Sequence, residues 1–118
     1  MRAGVYIIRL AHAPEYIKVG EGLHLLNRIS QVSGSQPIPP RLVWATHTQT
    51  KEDARLLEYQ IQNFMWNIRL APRRDWFQTR RTNIWILNRV QKVLNNLGIE
   101  TEPLSDEDRY HLRAAGNL

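Results

Sequence analysis

The order of strand-like and helix-like segments predicts an α+β fold, in which a small three-stranded sheet (an N-terminal hairpin plus a third strand) is flanked by three helices. Three observations carry this. Gly4–Leu10 and Tyr16–Gly20 are short runs rich in β-branched and aromatic residues, joined by a turn at Pro14. Leu42–Ala45 is a third run of the same kind. Between and after these lie segments whose apolar residues recur at helical spacing.

Each element has its own signals. Leu23, Leu25, Leu26, Ile29 and Val32 predict a first helix over Leu23–Val32, entered after the Gly20-Glu21-Gly22 break. Ser33–Pro40 holds one Gly and three Pro and reads as a loop. Thr50 is a fitting N-cap for a second helix over Lys51–Ile68, with Asp53 in a capping-box-like position. Leu56, Leu57, Ile61, Phe64, Met65 and Ile68 form its apolar stripe, and Pro72 ends it. Asp75-Trp76-Phe77 reads as a short extended piece. Thr82 or Asn83 then caps a third helix over Asn83–Leu97, and Gly98 suits the residue after its last turn. The first 97 residues form the predicted domain. Residues 98–118 form a tail in which Ser105 and Asp108 could start a last short helix. No G-x-G-x-x-G follows a strand, so dinucleotide-binding units are not indicated.

Composition narrows the function classes. The 118 residues are one domain's worth, with 42% hydrophobic and 23% charged residues as in ordinary globular proteins. Apolar runs stop at four or five residues, so no membrane partner is expected. The chain enters strand-like sequence at once, without the apolar core of a signal peptide, and a cytoplasmic location is expected. Absence of cysteine excludes disulfides and thiolate zinc sites. The net charge of +5 comes from thirteen Arg and three Lys against eleven acidic residues. Guanidinium forks match phosphate oxygens, which favours a nucleic-acid partner.

Few residues are arranged for chemistry. The four histidines are scattered without an i,i+4 pair, and there is neither a P-loop nor a nucleophile elbow. Tyr6 and Lys18 stand on the two hairpin strands, and in any antiparallel register with an even pairing sum they share a face. Arg28 and Glu58 each lie beside the apolar stripe of a helix, at the rim of the core. Arg69, Arg73, Arg74, Arg80 and Arg81 bracket Trp76 and Phe77, an interleaving able to hold phosphates and stack on bases.

Together these residues resemble the GIY-YIG endonuclease superfamily. Gly4-Val5-Tyr6 is similar to the first signature, and Lys18-Val19-Gly20 to the second in its variant with lysine for tyrosine. Arg28 follows Gly20 by eight residues, where the family places an arginine on its first helix, and Glu58 resembles its metal-binding glutamate. The run from Glu52 to Glu58, then Asp75-Trp76-Phe77, is similar to a phage-rich branch with a D-A-x-x-L-E helix and a following E-W-F. The resemblance spans about residues 4 to 95. Departures are Lys18, Asp75 for glutamate, and Glu21, an anion where the family often has Lys, Arg or Gln. The family's third-helix asparagine has no clear counterpart, Asn83 and Asn88 both being near.

The resemblance implies a metal-dependent endonuclease acting on phosphodiester bonds of DNA, double-stranded in the first instance. Tyr6 would be the general base, its phenol (reference pKa about 10) favoured as phenolate by Lys18 and Arg28. Arg28 would hold non-bridging oxygens as charge builds. Glu58 would be the metal ligand for one Mg²⁺ or Mn²⁺, since only one carboxylate matches the pattern. Double-strand cutting by one site then needs a homodimer or two successive events. The alternative is a nucleic-acid-binding module on the same fold that cuts poorly or not at all. A third class, a protein-interaction domain, leaves the arginines without a phosphate role.

Overall fold

The alternation of side chains along two short strands determines which helices cover which face of the sheet. β1 (Gly4–Arg9) and β2 (Tyr16–Gly22) form the hairpin, with Tyr6 opposite Gly20 and Ile8 opposite Lys18. Even-numbered residues of both strands therefore project to one face and odd-numbered residues to the other. The computed structural model describes residues 2–65 and 76–114.

The even face carries Tyr6 and Ile8, packed with Leu25, Ile29 and Val32 of α1 (Leu25–Gly34) and Leu112 of α4 (Asp106–Ala114). The odd face carries Val5, Ile7, Ile17 and Val19, packed with Leu57 and Ile61 of α2 (Lys51–Phe64) and Ile86, Val90 and Val93 of α3 (Asn83–Leu97). The buried apolar side chains of β1 and β2 thus enter one of two cores, and the sheet lies between two helical layers.

Three more strands complete the sheet, which has the order β4-β2-β1-β3-β5 and is antiparallel throughout. β3 (Arg41–Thr48) pairs with β1, β4 (Trp76–Gln78) with β2, and β5 (Thr101–Pro103) with β3. Among the described residues the fold is therefore α+β as expected, with five strands in place of three and, beside the three expected helices, the short tail helix that Ser105 and Asp108 could start. The short extended piece at Trp76 became β4 because its backbone continues the ladder from β2. β5 is three residues long and mostly exposed, so it has no apolar alternation to reveal it. Its Pro103 fits an edge strand, where a missing N–H costs little.

Helix boundaries follow their caps. α1 begins two residues later than Leu23, because β2 runs on to pair Gly22 with Gly4 and leaves Leu23 exposed in the bend. Thr50 Oγ1 accepts from Asp53 N (3.1 Å), and Thr82 Oγ1 from Trp85 N (3.2 Å), as N-caps do. Gly98 closes α3 in the left-handed region (φ 67°). Ser105 and Asp108 cap α4 reciprocally: Asp108 N donates to Ser105 Oγ (3.0 Å) and Ser105 N to Asp108 Oδ2 (3.1 Å). On α2, Leu57, Ile61 and Met65 beyond its end are buried, whereas Leu56 and Phe64 are exposed. The expected end of this helix at Ile68 lies outside the described residues.

Candidate functional site

Glycines on the even face of β1 and β2 let neighbouring groups lie directly on the backbone. A Cβ on Gly20 would fall within the Tyr6 phenol, 2.8 Å from Cε1 and nearer still to Cζ and the hydroxyl oxygen. A Cβ on Gly22 would stand 2.7 Å from Arg28 Cβ and 3.0 Å from its Cγ. Tyr6 therefore reaches from β1 across β2 at Gly20, and the stem of Arg28 crosses β2 at Gly22, two residues along on the same face. β4 begins at Trp76, opposite Lys18, so Gly20 lies two residues past the last described β2–β4 pair.

Lys18 stands two residues before Gly20 on that face. With Arg28 it lines a cleft of about 570 Å³ between α1 and the β2–β4 pair, together with Tyr16, Trp76 and Gln31. Among the described residues, none of the side chains lining the cleft is acidic. Lys18 Nζ lies 5.7 Å from the centre of the Trp76 ring, a cation–π distance. Arg28 is exposed, its stem held by Gly22 and its charged end free to meet solvent or a ligand.

Tyr6 sits deeper. It is fully buried, and it belongs to the core under α1 and does not line the cleft. Glu58 is half-buried on α2, whose apolar stripe packs on the other face of the sheet. It lies one turn before Gln62, and Gln62 Nε2 donates to the Val19 carbonyl of β2 (3.2 Å). The Glu58–Gln62 row thus borders the same β2 edge toward which Tyr6 points, although Glu58 does not line the cleft. The structure brings Lys18 and Arg28 together in one cleft, with Tyr6 beneath and Glu58 at the neighbouring edge.

Glu21 is not beside Lys18 and Arg28 as its place in the sequence suggests. It pairs with Val5, so alternation sends its side chain to the α2 face, where Oε2 is shielded from solvent. It does not line the cleft.

The arginines expected to grip substrate divide. Arg69, Arg73, Arg74 and the neighbouring Asp75 lie outside the described residues. Arg80 lines a separate cleft of about 580 Å³ with Arg9 and Glu15. Arg81 stacks on Trp85, its Cζ 5.0 Å from the ring centre, and Arg89 stacks there too at 4.7 Å. Phe77 is core, whereas Trp76 belongs to the cleft. Sequence reasoning does not place Tyr16 at the site, and it names Trp76 only as a base-stacking aromatic among the arginines. Tyr16 was legible from its parity with Lys18, but Trp76 required the β2–β4 register.

Among the described residues no three His, Cys, Asp or Glu side chains gather as a metal-binding group. Also among them, no helix is long and apolar enough to cross a membrane. Comparison with known protein families, curated proteins and solved structures gave no match.

Proposed function

We propose that this chain is a metal-dependent endonuclease hydrolysing phosphodiester bonds of DNA, with Tyr6, Lys18, Arg28 and Glu58 as its working residues. The observation that supports this reading is the glycine-floored meeting of Tyr6 over Gly20 and Arg28 over Gly22, beside Lys18. A cleft holding two cations and, among the described residues, no carboxylate attracts a phosphodiester. The Arg28 fork would hold non-bridging oxygens and stabilise the charge that develops on them. Lys18 would add a second positive charge, and Trp76 a flat surface for a base. Tyr6 would take the proton of the attacking water on its phenol oxygen.

The donor set suits a hard cation that keeps most of its water. Mg²⁺ and Mn²⁺ are commonly held by one or two carboxylates with substrate oxygens completing the shell, and a cage of three protein ligands is not needed. Glu58 would supply that carboxylate, and Glu21, on the same face of the sheet as α2, has a shielded oxygen compatible with a cation nearby. A bound cation of this kind neutralises phosphate charge and favours departure of the leaving oxygen.

A second reading has its own observation. Complete burial of Tyr6 favours a module that binds nucleic acid without cutting it, the tyrosine being a core residue. Incubation with supercoiled plasmid and Mg²⁺ or Mn²⁺, with and without chelator, separates the two. Metal-dependent relaxation or linearisation supports the enzyme. Binding without strand breaks supports the module.

A further inference from the structure

The hairpin end of the sheet carries an arrangement of charge that the cleft does not use. Arg9 and Arg41 are direct cross-strand partners at the ends of β1 and β3. An irregularity between Ile7 and Ile8 creates this pairing: the register moves from Ile7–Trp44 to Ile8–Leu42, so Arg9 meets Arg41 and not Leu42. Direct partners in an antiparallel pair project to the same face with Cβ atoms about 5 Å apart, and like charges so placed repel.

Both arginines line a cavity of about 440 Å³ with Leu10, Ala11, Pro14 and Asn83, none of them acidic. Arg9 is half-buried, and burial lowers its pKa from the ordinary value. Its Nη2 donates to the Arg81 carbonyl (2.8 Å), while its Nε is shielded from solvent and has no acceptor among the described residues. No described carboxylate forms an ion pair with either arginine. Asn83 opens α3, a helix with no acidic residue in its first turn, so the positive end of its dipole faces this region uncompensated. The adjoining cleft shares Arg9 and adds Arg80, with Glu15 as its one carboxylate.

Repelling guanidiniums, a desolvated N–H and a helix N-terminus are together stabilised by an anion with several acceptor oxygens. Leu10 lines both this cavity and the Lys18–Arg28 cleft, so one surface path connects them around the hairpin. The geometry points to a second phosphate-binding site at Arg9 and Arg41, occupied by another backbone phosphate of the nucleic acid held in the Lys18–Arg28 cleft. This rests on the nucleic-acid reading above. Free phosphate has the same chemistry, and the experiment distinguishes the two sources.

Affinity for a short labelled duplex is measured in chelator across a salt series, for wild type, Arg9→Gln, Arg41→Gln and Arg41→Lys. Melting is followed with and without inorganic phosphate. If the site takes a backbone phosphate, Arg41→Gln weakens duplex binding and lowers the log–log salt slope by about 0.9, one lost contact. Arg41→Lys recovers part of the affinity. Arg41→Gln also melts no lower than wild type in phosphate-free buffer, since cross-strand repulsion is relieved, so weaker binding cannot be ascribed to misfolding. If wild type ignores the duplex but phosphate raises its melting temperature more than that of Arg41→Gln, the site stands with free phosphate as ligand and the nucleic-acid reading fails. If wild type binds the duplex and every variant keeps its affinity and slope, the site is overturned and the nucleic-acid reading is untouched.

Discussion

The phenol of Tyr6 occupies the space that a side chain on Gly20 would need. The two residues are cross-strand partners, and the phenol leaves no room for a Cβ on the glycine. A glycine opposite a large aromatic lets the ring lean across the neighbouring strand without standing up into α1. The pairing thus explains both how Tyr6 is buried and why its hydroxyl points to the β2 edge.

Gly20→Ala should therefore destabilise the fold by overpacking, by about 1–3 kcal/mol. Its cost should shrink in a Tyr6→Leu background, where the ring is gone. A double-mutant cycle on melting temperature checks this, and equal penalties in the two backgrounds would show that Gly20 is needed for some other reason.

Much of this was legible in the sequence, for local reasons. Caps at Thr50, Thr82, Ser105 and Gly98 are short-range chemistry: three of the four helices begin where those residues place them, and α3 also ends where Gly98 does. The shared face of Tyr6 and Lys18 followed from parity alone, since any even pairing sum gives it. β5 left no trace because pairing with β3 creates it, not its own side chains. The depth of Tyr6 was equally hidden, because burial depends on α1 and α4 closing over the strand. Glu21 misled for a related reason: adjacency in sequence puts strand neighbours on opposite faces.

The hydrogen-bonded contact between β3 and α4 has a pH consequence. His47 is buried, and its Nε2 lies 2.9 Å from Asp108 Oδ2. Burial alone would raise the Asp108 pKa, but the hydrogen bonds from His47 and the Ser105 backbone, with the His47 charge, outweigh it, and the net shift is downward. A depressed carboxylate pKa contributes stability above its unfolded value, and that stability is lost as pH falls through the folded one. Asp108→Ala should cost about 2 kcal/mol near neutrality, the scale of a charged hydrogen bond. The gap in melting temperature between the variant and wild type should close as pH drops below the ordinary aspartate range. A gap that persists there would show that the contact does not depend on ionised Asp108.

Charge on the arginine segment can be tested apart from the cleft. Replacing Arg73, Arg74, Arg80 and Arg81 together with glutamine should weaken duplex binding. The salt slope should fall by up to about 0.9 per lost phosphate contact. Because Arg81 stacks on Trp85, part of its loss would appear as reduced stability, so melting is followed alongside. An unchanged slope would mean that these side chains face away from the nucleic acid.

Glu58→Ala should abolish plasmid cleavage in Mg²⁺ or Mn²⁺ while duplex affinity in chelator stays within a few-fold of wild type. The variant removes a half-buried carboxylate from the α2 row that borders β2, not a residue of the Lys18–Arg28 cleft. Grip and chemistry should therefore separate. Cleavage at the wild-type rate would remove Glu58 from the mechanism.

Tyr6→Phe decides between the enzyme and the module. It deletes one oxygen and keeps the ring over Gly20, so the packing that buries Tyr6 is retained. Stability should change by about 1 kcal/mol, the scale of one hydrogen bond. If the phenol takes the water's proton, cleavage should fall by roughly two to four orders of magnitude, the usual size of general-base assistance. Duplex affinity should not move, because Tyr6 does not line the cleft. A residue that only packs predicts the opposite: phenylalanine fills the same space and leaves the rate near normal. Single-turnover cleavage by wild type and Tyr6→Phe at matched duplex saturation compares the chemical step directly. A near-normal rate would leave Tyr6 as a core residue and oblige another group to activate the water.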